Sequence, residues 1–230
     1  MVLRKLLGIE TSSPLFSVAM CEGEKILSFL QAEGKGPPSL LLTEMIRRAT
    51  AEANVSLETL DGFSVSAGPG SFTGLRVGVM TVKTLAWALK KPVVPVSSLE
   101  VAARNLKGQK RQVILFVDAR KDKVYSALFA CDGSGGIRRL SPDRLLSPEE
   151  ALRQRNDQPV MIVGDGVRRY GDLLSSGSGV SAEISDPSLW VPRADEVCLA
   201  AQIHWETGRM DDPHRLVPQY LYSKESDVTG

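Results

Sequence analysis

The segment Gly68-Pro69-Gly70-Ser71-Phe72-Thr73-Gly74-Leu75-Arg76-Val77-Gly78 joins an apolar run, Phe63 to Ala67, to a helical pattern that continues to about Leu89. A strand that enters a helix through glycines can present bare backbone N–H groups to a phosphate, and the helix dipole favours the negative charge. The same glycines have a second use. Gly74 and Gly78 are four residues apart, hence on one helix face, where missing side chains permit close packing. No Lys-Ser or Lys-Thr follows the loop, so it is not a Walker A site. The spacing leaves nucleotide binding open and favours packing or an interface.

Two acids could hold magnesium near phosphates. Glu10 and Asp118 each end an apolar strand pattern, Leu6 to Ile9 and Val113 to Val117. Thr11, Ser12, Ser13 and Pro14 follow Glu10, and those hydroxyls can bond their own turn. Arg120 and Lys121 follow Asp118 and can neutralise it. Glu10, Thr11, Ser12 and Asp118 are therefore the candidate nucleotide contacts, in a vestigial form. His204 and His214 are the only histidines, and nothing in the sequence gives either a nucleophile or a base. No catalytic residue and no metal ligand set is read. Cys21, Cys131 and Cys198 have no metal spacing and read as core or surface thiols. Arg168, Arg169 and Tyr170 read as a solvated helix face.

The frame around these residues is ordinary. With 230 residues, the chain is one large domain or two lobes of roughly 100 each. A composition of 43% hydrophobic and 24% charged residues excludes disorder. A net charge of +1 demands neither nucleic acid nor membrane as a direct partner. The N-terminus lacks the pattern of a signal peptide, and no run approaches the ~18–20 apolar residues of a membrane span. The expectation is a cytoplasmic protein.

Strand patterns cover Leu6 to Ile9, Phe16 to Met20, Ile26 to Leu30, Phe63 to Ala67 and Val93 to Val96. Helical patterns cover Ser39 to Ala53, with Ser39 as a cap, Phe72 to Leu89, and Ser98 to Leu106. Lys107 to Gln112 reads as a linker. Beyond it come strands at Val113 to Val117, Val124 to Phe129 and Val160 to Val163. Helices follow at Ser147 to Arg155, Val167 to Leu174 and Ala194 to Glu206, with a loop at Ser175 to Gly179. Shifting the first opening by 108 positions lays Leu6-Leu7 on Ile114-Leu115, Glu10 on Asp118, and Phe16-Ser17 on Val124-Tyr125. A repeat of this kind predicts two related lobes, 1–106 and 107–230, with Glu10 and Asp118 at strand ends facing a cleft.

The opening Leu7 to Ser12, the loop Gly68 to Gly78, the stretch Val82 to Ala86 through Pro92 to Glu100, and Val117-Asp118-Ala119-Arg120 with Val124-Tyr125 resemble the TsaB family. These are bacterial accessory proteins of threonylcarbamoyladenosine formation in tRNA, formerly described as glycoprotease-like. The resemblance covers residues 6 to about 130. It continues more weakly through Val163 to Gly166 and Pro218 to Leu221. It implies an α/β fold of the duplicated actin/hexokinase/Hsp70-like (ribonuclease H-like) type, two lobes with mixed sheets flanked by helices. It also implies a non-catalytic scaffold that binds TsaD as a heterodimer, and TsaE, and forms a homodimer when TsaD is absent. The neutral charge and the lack of a basic-aromatic stripe put tRNA contact mainly through the complex, with no membrane role. TsaD carries a metal-binding His-x-x-x-His whose matching positions here are Ser98 and Ala102, neither of which is an imidazole ligand. No cofactor of its own is implied, and a nucleotide at the partner interface stays open. The helices of the N-terminal lobe are the implied contact, through Leu41, Met45, Gly70, Phe72, Gly74, Leu75, Gly78, Val79 and Val82. Family members often begin the first helix with His-Ser; here Pro38-Ser39 occupies those positions. Two rival readings remain. An ATP-dependent kinase or ATPase needs Glu10, Asp118 and the glycine loop to bind magnesium nucleotide. A metallopeptidase needs histidine ligands that the sequence lacks.

Overall fold

The computed structural model describes residues 3–154, 159–175 and 182–222. The chain divides into two compact units, Met1–Val101 with Pro192–Gln219, and Ala102–Val191 with Tyr220–Gly230. The first opens with β1 (Lys5–Glu10), β2 (Leu15–Glu22) and β3 (Lys25–Glu33), then α1 (Pro38–Ala53), β4 (Gly62–Gly68), α2 (Phe72–Leu89) and β5 (Val93–Ser97), and the division falls within α3 (Ser98–Arg104). Its sheet runs β3-β2-β1-β4-β5, with β2 antiparallel to β1 and β3, and β4 parallel to β1 and β5. Alternation decides the faces. Leu7 and Ile9 join the core under α1 and α2, while Leu6 joins a second core on the opposite face. Strands buried on both faces explain why β1 and β4 read as near-continuous runs of apolar and small residues.

α2 has the limits its sequence predicts. The Ser71 hydroxyl accepts from the Gly74 N–H at its start, and Lys90 in the left-handed region (φ 54°) ends it. α1 departs from the expectation. Its N-cap is Pro37, with no side-chain cap bond, and Ser39 lies inside the first turn. A proline at the helix start needs no N–H partner, so the missing cap is tolerated.

The second unit contains β6 (Lys110–Arg120), β7 (Lys123–Asp132), β8 (Ile137–Arg139), β9 (Arg144–Leu146), α4 (Pro148–Leu152), β10 (Val160–Val163), α5 (Val167–Ser175) and β11 (Ala182–Ile184). Its sheet runs β8-β7-β6-β10-β11, with β9 also paired to β7. One central strand again has antiparallel neighbours on one side and parallel ones on the other. The fold is thus α/β and duplicated. One detail of the repeat is corrected. Glu10 pairs with Ser17 across a six-residue turn (11–16), whereas Asp118 pairs with Val124 across five residues (119–123). Ser17 therefore corresponds to Val124, not Tyr125. The linker expected at 107–112 ends early, because β6 begins at Lys110. β8, β9 and β11 have three residues each, too short for periodicity to find. The loop expected at 175–179 lies, but for Ser175, outside the described residues.

α6 (Ala194–Glu206) belongs to the first unit, although the sequence alone placed it with the second half. Small residues make the contact. Ala194, Val197, Cys198 and Ala201 pack on Leu6, Ala19, Cys21 and Val96. A Cβ at Gly8 would stand 2.6 Å from the Cys198 sulfur. The Ala194 N–H donates to the Ser17 hydroxyl at 2.9 Å, serving the helix start that Arg193 leaves uncapped. After α6 the chain turns around the sheet edge. Asp211 exchanges backbone hydrogen bonds with Val93 at 2.8 and 3.2 Å. The Lys83 ammonium then donates to the carbonyls of His214 and Leu216 at 3.0 and 3.3 Å. Leu216 is buried in the α1/α2 core. No described helix is long and apolar enough to cross a membrane.

Leu216 ties a segment distant in sequence into this core. Leu216→Ala is expected to destabilise the protein by about 2–5 kcal/mol in urea unfolding, the range for a buried leucine truncated in a packed core.

Candidate functional site

The glycine loop and the β1–β2 turn are packed against each other. A Cβ on Gly70 would lie 2.5 Å from the Ser12 carbonyl oxygen, on Gly74 2.0 Å from that of Thr11, and on Gly78 2.2 Å from the Thr11 hydroxyl. Hydrogen bonds fix the approach. Ser71 N–H donates to Ser12 O at 2.8 Å, and the Thr11 hydroxyl donates to Gly74 O at 2.8 Å. The mouth of the loop is also occupied by the chain itself. Gln219 N–H donates to Ala67 O at 2.7 Å, and a Cβ on Gly68 would lie 2.6 Å from Gln219 O. The glycines therefore make room for the protein's own backbone. The N–H groups of Ser71 and Gly74, which a phosphate would use, are bonded to Ser12 and to the Ser71 side chain.

Glu10 is fully buried, and its Oε1 accepts from the Ser12 N–H. Burial pushes its pKa up from 4.5, and hydrogen bonding from Ser12 pulls it back only in part. Among the described residues Glu10 Oε2 and Ser66 Oγ have no hydrogen-bond partner, and the Ser98 hydroxyl has none either. A buried carboxyl turned toward its own turn is poorly placed to hold magnesium, whose ligands must be ionised and reachable.

In the second unit Asp118 is fixed locally. Its Oδ1 accepts from the Arg120 N–H at 2.9 Å, its own N–H donates to Asp165 at 3.0 Å, and Arg169 stands 3.9 Å away. Arg169, from α5, is a guanidinium beside it that the sequence did not announce. Of the cluster Arg168-Arg169-Tyr170, the two arginines are exposed as a solvated face requires, whereas Tyr170 is buried edge-on against Phe116. The three cysteines are free and buried. Cys21 and Cys198 share one core cluster, and burial pushes the Cys131 thiol up to about 11. His204 sits 2.9 Å from Glu100, a pairing between α6 and α3 that no local spacing announces. Among the described residues no three His, Cys, Asp or Glu gather as a metal site.

The proposed contact set is largely corrected. Met45, Gly74, Leu75, Gly78, Val79 and Val82 are buried in the unit's own core. Leu41 packs against that core, and Gly70 faces Ser12. Of the set only Phe72 is well exposed, at 54%. α2 is apolar on two sides: Phe72, Met80 (57%) and Trp87 (62%) line the outer one, with Leu40 (68%) at the start of α1. The spacing of 72, 80 and 87 keeps these three side chains on one helix face. The Gly74/Gly78 pair serves the internal approach to Thr11, not a partner helix.

A family model described as TsaD, tRNA N6-adenosine threonylcarbamoyltransferase, matches residues 39–179. The tRNA threonylcarbamoyladenosine biosynthesis protein TsaB of Bacillus subtilis is 26% identical over 97% of this chain and 96% of its own length. The solved structure of YeaZ from Pseudomonas aeruginosa superposes with a TM-score of 0.83 at 27% identity, covering 95% of this chain and all of the other. At the level of fold alone, the likeness extends to a ROK hexokinase from Thermus thermophilus, with a TM-score of 0.50 and 12% identity.

Two outcomes follow from the packing. Gly74→Ala gains helix propensity of about 1 kcal/mol. The clash with the Thr11 carbonyl outweighs it, giving a net loss of roughly 1–3 kcal/mol by thermal or urea melts. For Glu10 the raised pKa means that the folded state holds the proton above the pH at which the unfolded chain releases it. Its stabilising contribution is present below the unfolded pKa and is lost as pH rises through the folded one. Glu10→Gln keeps the acceptor for Ser12 and removes the ionisation. Its melting temperature should match the wild type near pH 4 and exceed it increasingly toward pH 8.

Proposed function

Because the chain belongs to the family of the tRNA N6-adenosine threonylcarbamoyltransferases, on its TsaB branch, we propose that it is the non-catalytic partner of the transferase. In this reading it binds TsaD, and TsaE with it. It supports transfer of the threonylcarbamoyl group to the adenosine beside the anticodon of tRNAs reading codons that begin with adenine. The observation that carries the reading is the glycine loop closed by Thr11, Ser12 and Gln219. A loop that spends its amides on its own chain is a structural device. Ser98 and Ala102, at the positions of the TsaD histidines, offer no imidazole to a metal. Glu10 and Asp118 are bonded within their own turns. Any nucleotide would then be held jointly with the partner rather than by this chain alone.

The outer face of α2 supports the binding half of the reading. Phe72, Met80 and Trp87 are large, exposed and on one helix face. Apolar and aromatic anchors of this kind dominate protein interfaces once a partner excludes water. The Arg76 guanidinium lies 3.7 Å from the centre of the Phe72 ring, which leaves one cation within the patch. The same face would serve the homodimer when TsaD is absent.

The test is reconstitution with TsaD from the same organism, read by size exclusion and by threonylcarbamoyl transfer to tRNA with the remaining pathway proteins. A stable heterodimer and strict dependence on this chain are expected. Met80→Asp and Trp87→Ala should each weaken the heterodimer by at least about tenfold while leaving the melting temperature near that of the wild type. Absence of a complex and of any dependence would overturn the proposal. A strong thermal shift of the isolated chain with ATP would then favour the kinase reading.

A further inference from the structure

α6 lies almost on the backbone of the first sheet, and that approach brings two thiols together. Gly8 leaves no side chain beneath the helix; a Cβ there would stand 2.6 Å from the Cys198 sulfur and 2.8 Å from the Ala194 carbonyl oxygen. Ala19 pairs with Gly8 across β1 and β2, and the Cys198 sulfur lies 3.6 Å from its carbonyl oxygen. Cys21 is two residues further along β2, hence on the same face, and shares the core cluster of Ala19 and Cys198. Gln202, one helical turn beyond Cys198, spans the contact. Its amide nitrogen donates to the Cys21 sulfur at 3.4 Å and to the Arg4 carbonyl at 2.8 Å. Cys21 and Cys198 are therefore neighbours between helix and sheet, and the Cys198 thiol donates to the Cys21 sulfur. Both are free and fully buried.

A buried thiol is ordinarily inert. This pair differs in how its protons are shared. The hydrogen bond from Cys198, joined by that from Gln202, holds the Cys21 thiol below its ordinary range against the effect of burial, while the donor Cys198 is pushed well up. Cys21 is thus the nucleophile and Cys198 the resolving thiol beside it. Cys131 belongs to the other unit, and burial pushes it up to about 11. We propose that Cys21 and Cys198 form a redox site, which hydrogen peroxide converts to a disulfide that fastens α6 to β2. The Cys21 thiolate attacks one peroxide oxygen, the O–O bond breaks, and hydroxide leaves as water with the Cys21 proton. Cys21 is then a sulfenic acid. The Cys198 sulfur attacks the Cys21 sulfur, the S–O bond breaks, and a second water leaves with the Cys198 proton. Two thiols give up two electrons, and one peroxide is reduced to two waters. Full burial selects an oxidant this small and uncharged. The bond closes a loop spanning most of the chain, where a cross-link restricts the unfolded state most. It secures a helix otherwise held by small apolar contacts and the Ala194–Ser17 hydrogen bond.

The test treats the full chain alone with hydrogen peroxide, alkylates the remaining thiols after unfolding, and maps the peptides by mass spectrometry. A peptide pair linking Cys21 to Cys198 is expected, lighter by two hydrogens, with Cys131 alkylated and the link undone by dithiothreitol. The melting temperature should rise by at least about 4 °C on oxidation and return on reduction. Cys198→Ala should give no link and leave Cys21 as a sulfenic acid that a cyclic diketone reagent labels. Cys21→Ala should leave Cys198 unoxidised, and Cys131→Ala should link as the wild type does. Three reduced cysteines in the peroxide-treated wild type overturn the proposal. So does a link through Cys131, a Cys21 sulfinic acid in place of the disulfide, or a linked protein that melts no higher than the reduced one. The wild-type map decides even where a variant fails to fold. No partner or tRNA enters the assay, so its outcome is independent of the scaffold reading.

Discussion

The close approach of α2 to the β1–β2 turn is the constraint on which the first unit depends. Three glycines spaced four apart remove every Cβ from the face that meets Thr11 and Ser12. The gap that results is narrower than any side chain. It brings backbone against backbone, and two hydrogen bonds between the segments then become possible, Ser71 to Ser12 and Thr11 to Gly74. A glycine loop built for phosphate exposes its amides to solvent. This one conceals two of them against neighbouring polar atoms. The same residue type in the same position thus serves opposite ends, and what separates them is the occupant of the space beside the glycines.

The two halves share a strand order but treat the equivalent turn differently. After β1 the turn is buried and its acid, Glu10, is withdrawn from water. After β6 the turn is one residue shorter and exposed, with its acids turned to Arg169 and to the backbone. A buried acid raises the energy of its ionised form, while an exposed acid paired with arginine keeps it. Duplication followed by opposite burial is enough to give one closed turn and one exposed turn.

How much of this was legible in the sequence depends on range. α2 was readable to the residue because its limits are local: the serine before it, the left-handed Lys90 and the proline beyond. The strands of the first sheet were readable from apolar runs bounded by glycine and proline. The destination of α6 was not, since Ala194, Val197, Cys198 and Ala201 suit either sheet and nothing local chooses between them. Which apolar face of α2 meets the sheet was not legible for a related reason. Leu75, Val79, Val82 and Ala86 form one apolar stripe, and Phe72, Met80 and Trp87 another. Periodicity finds both without saying which meets the sheet.

The internal packing and the outer face of α2 are parts of one arrangement. Full burial of a large apolar side chain is worth about 1.5–3 kcal/mol, so three of them held in water are a standing incentive for association. That incentive becomes specific only if the side chains keep their relative positions before the partner arrives, because ordering them on binding would consume part of the gain. α2 is held on its inner side by the glycine approach, by its apolar stripe on β4, and by Lys83 gripping the returning tail. Each contact removes freedom from the helix without touching its outer face. In the proposed scaffold, the glycines that no longer serve a phosphate serve the partner at one remove, by keeping Phe72, Met80 and Trp87 in fixed register on a helix that cannot shift.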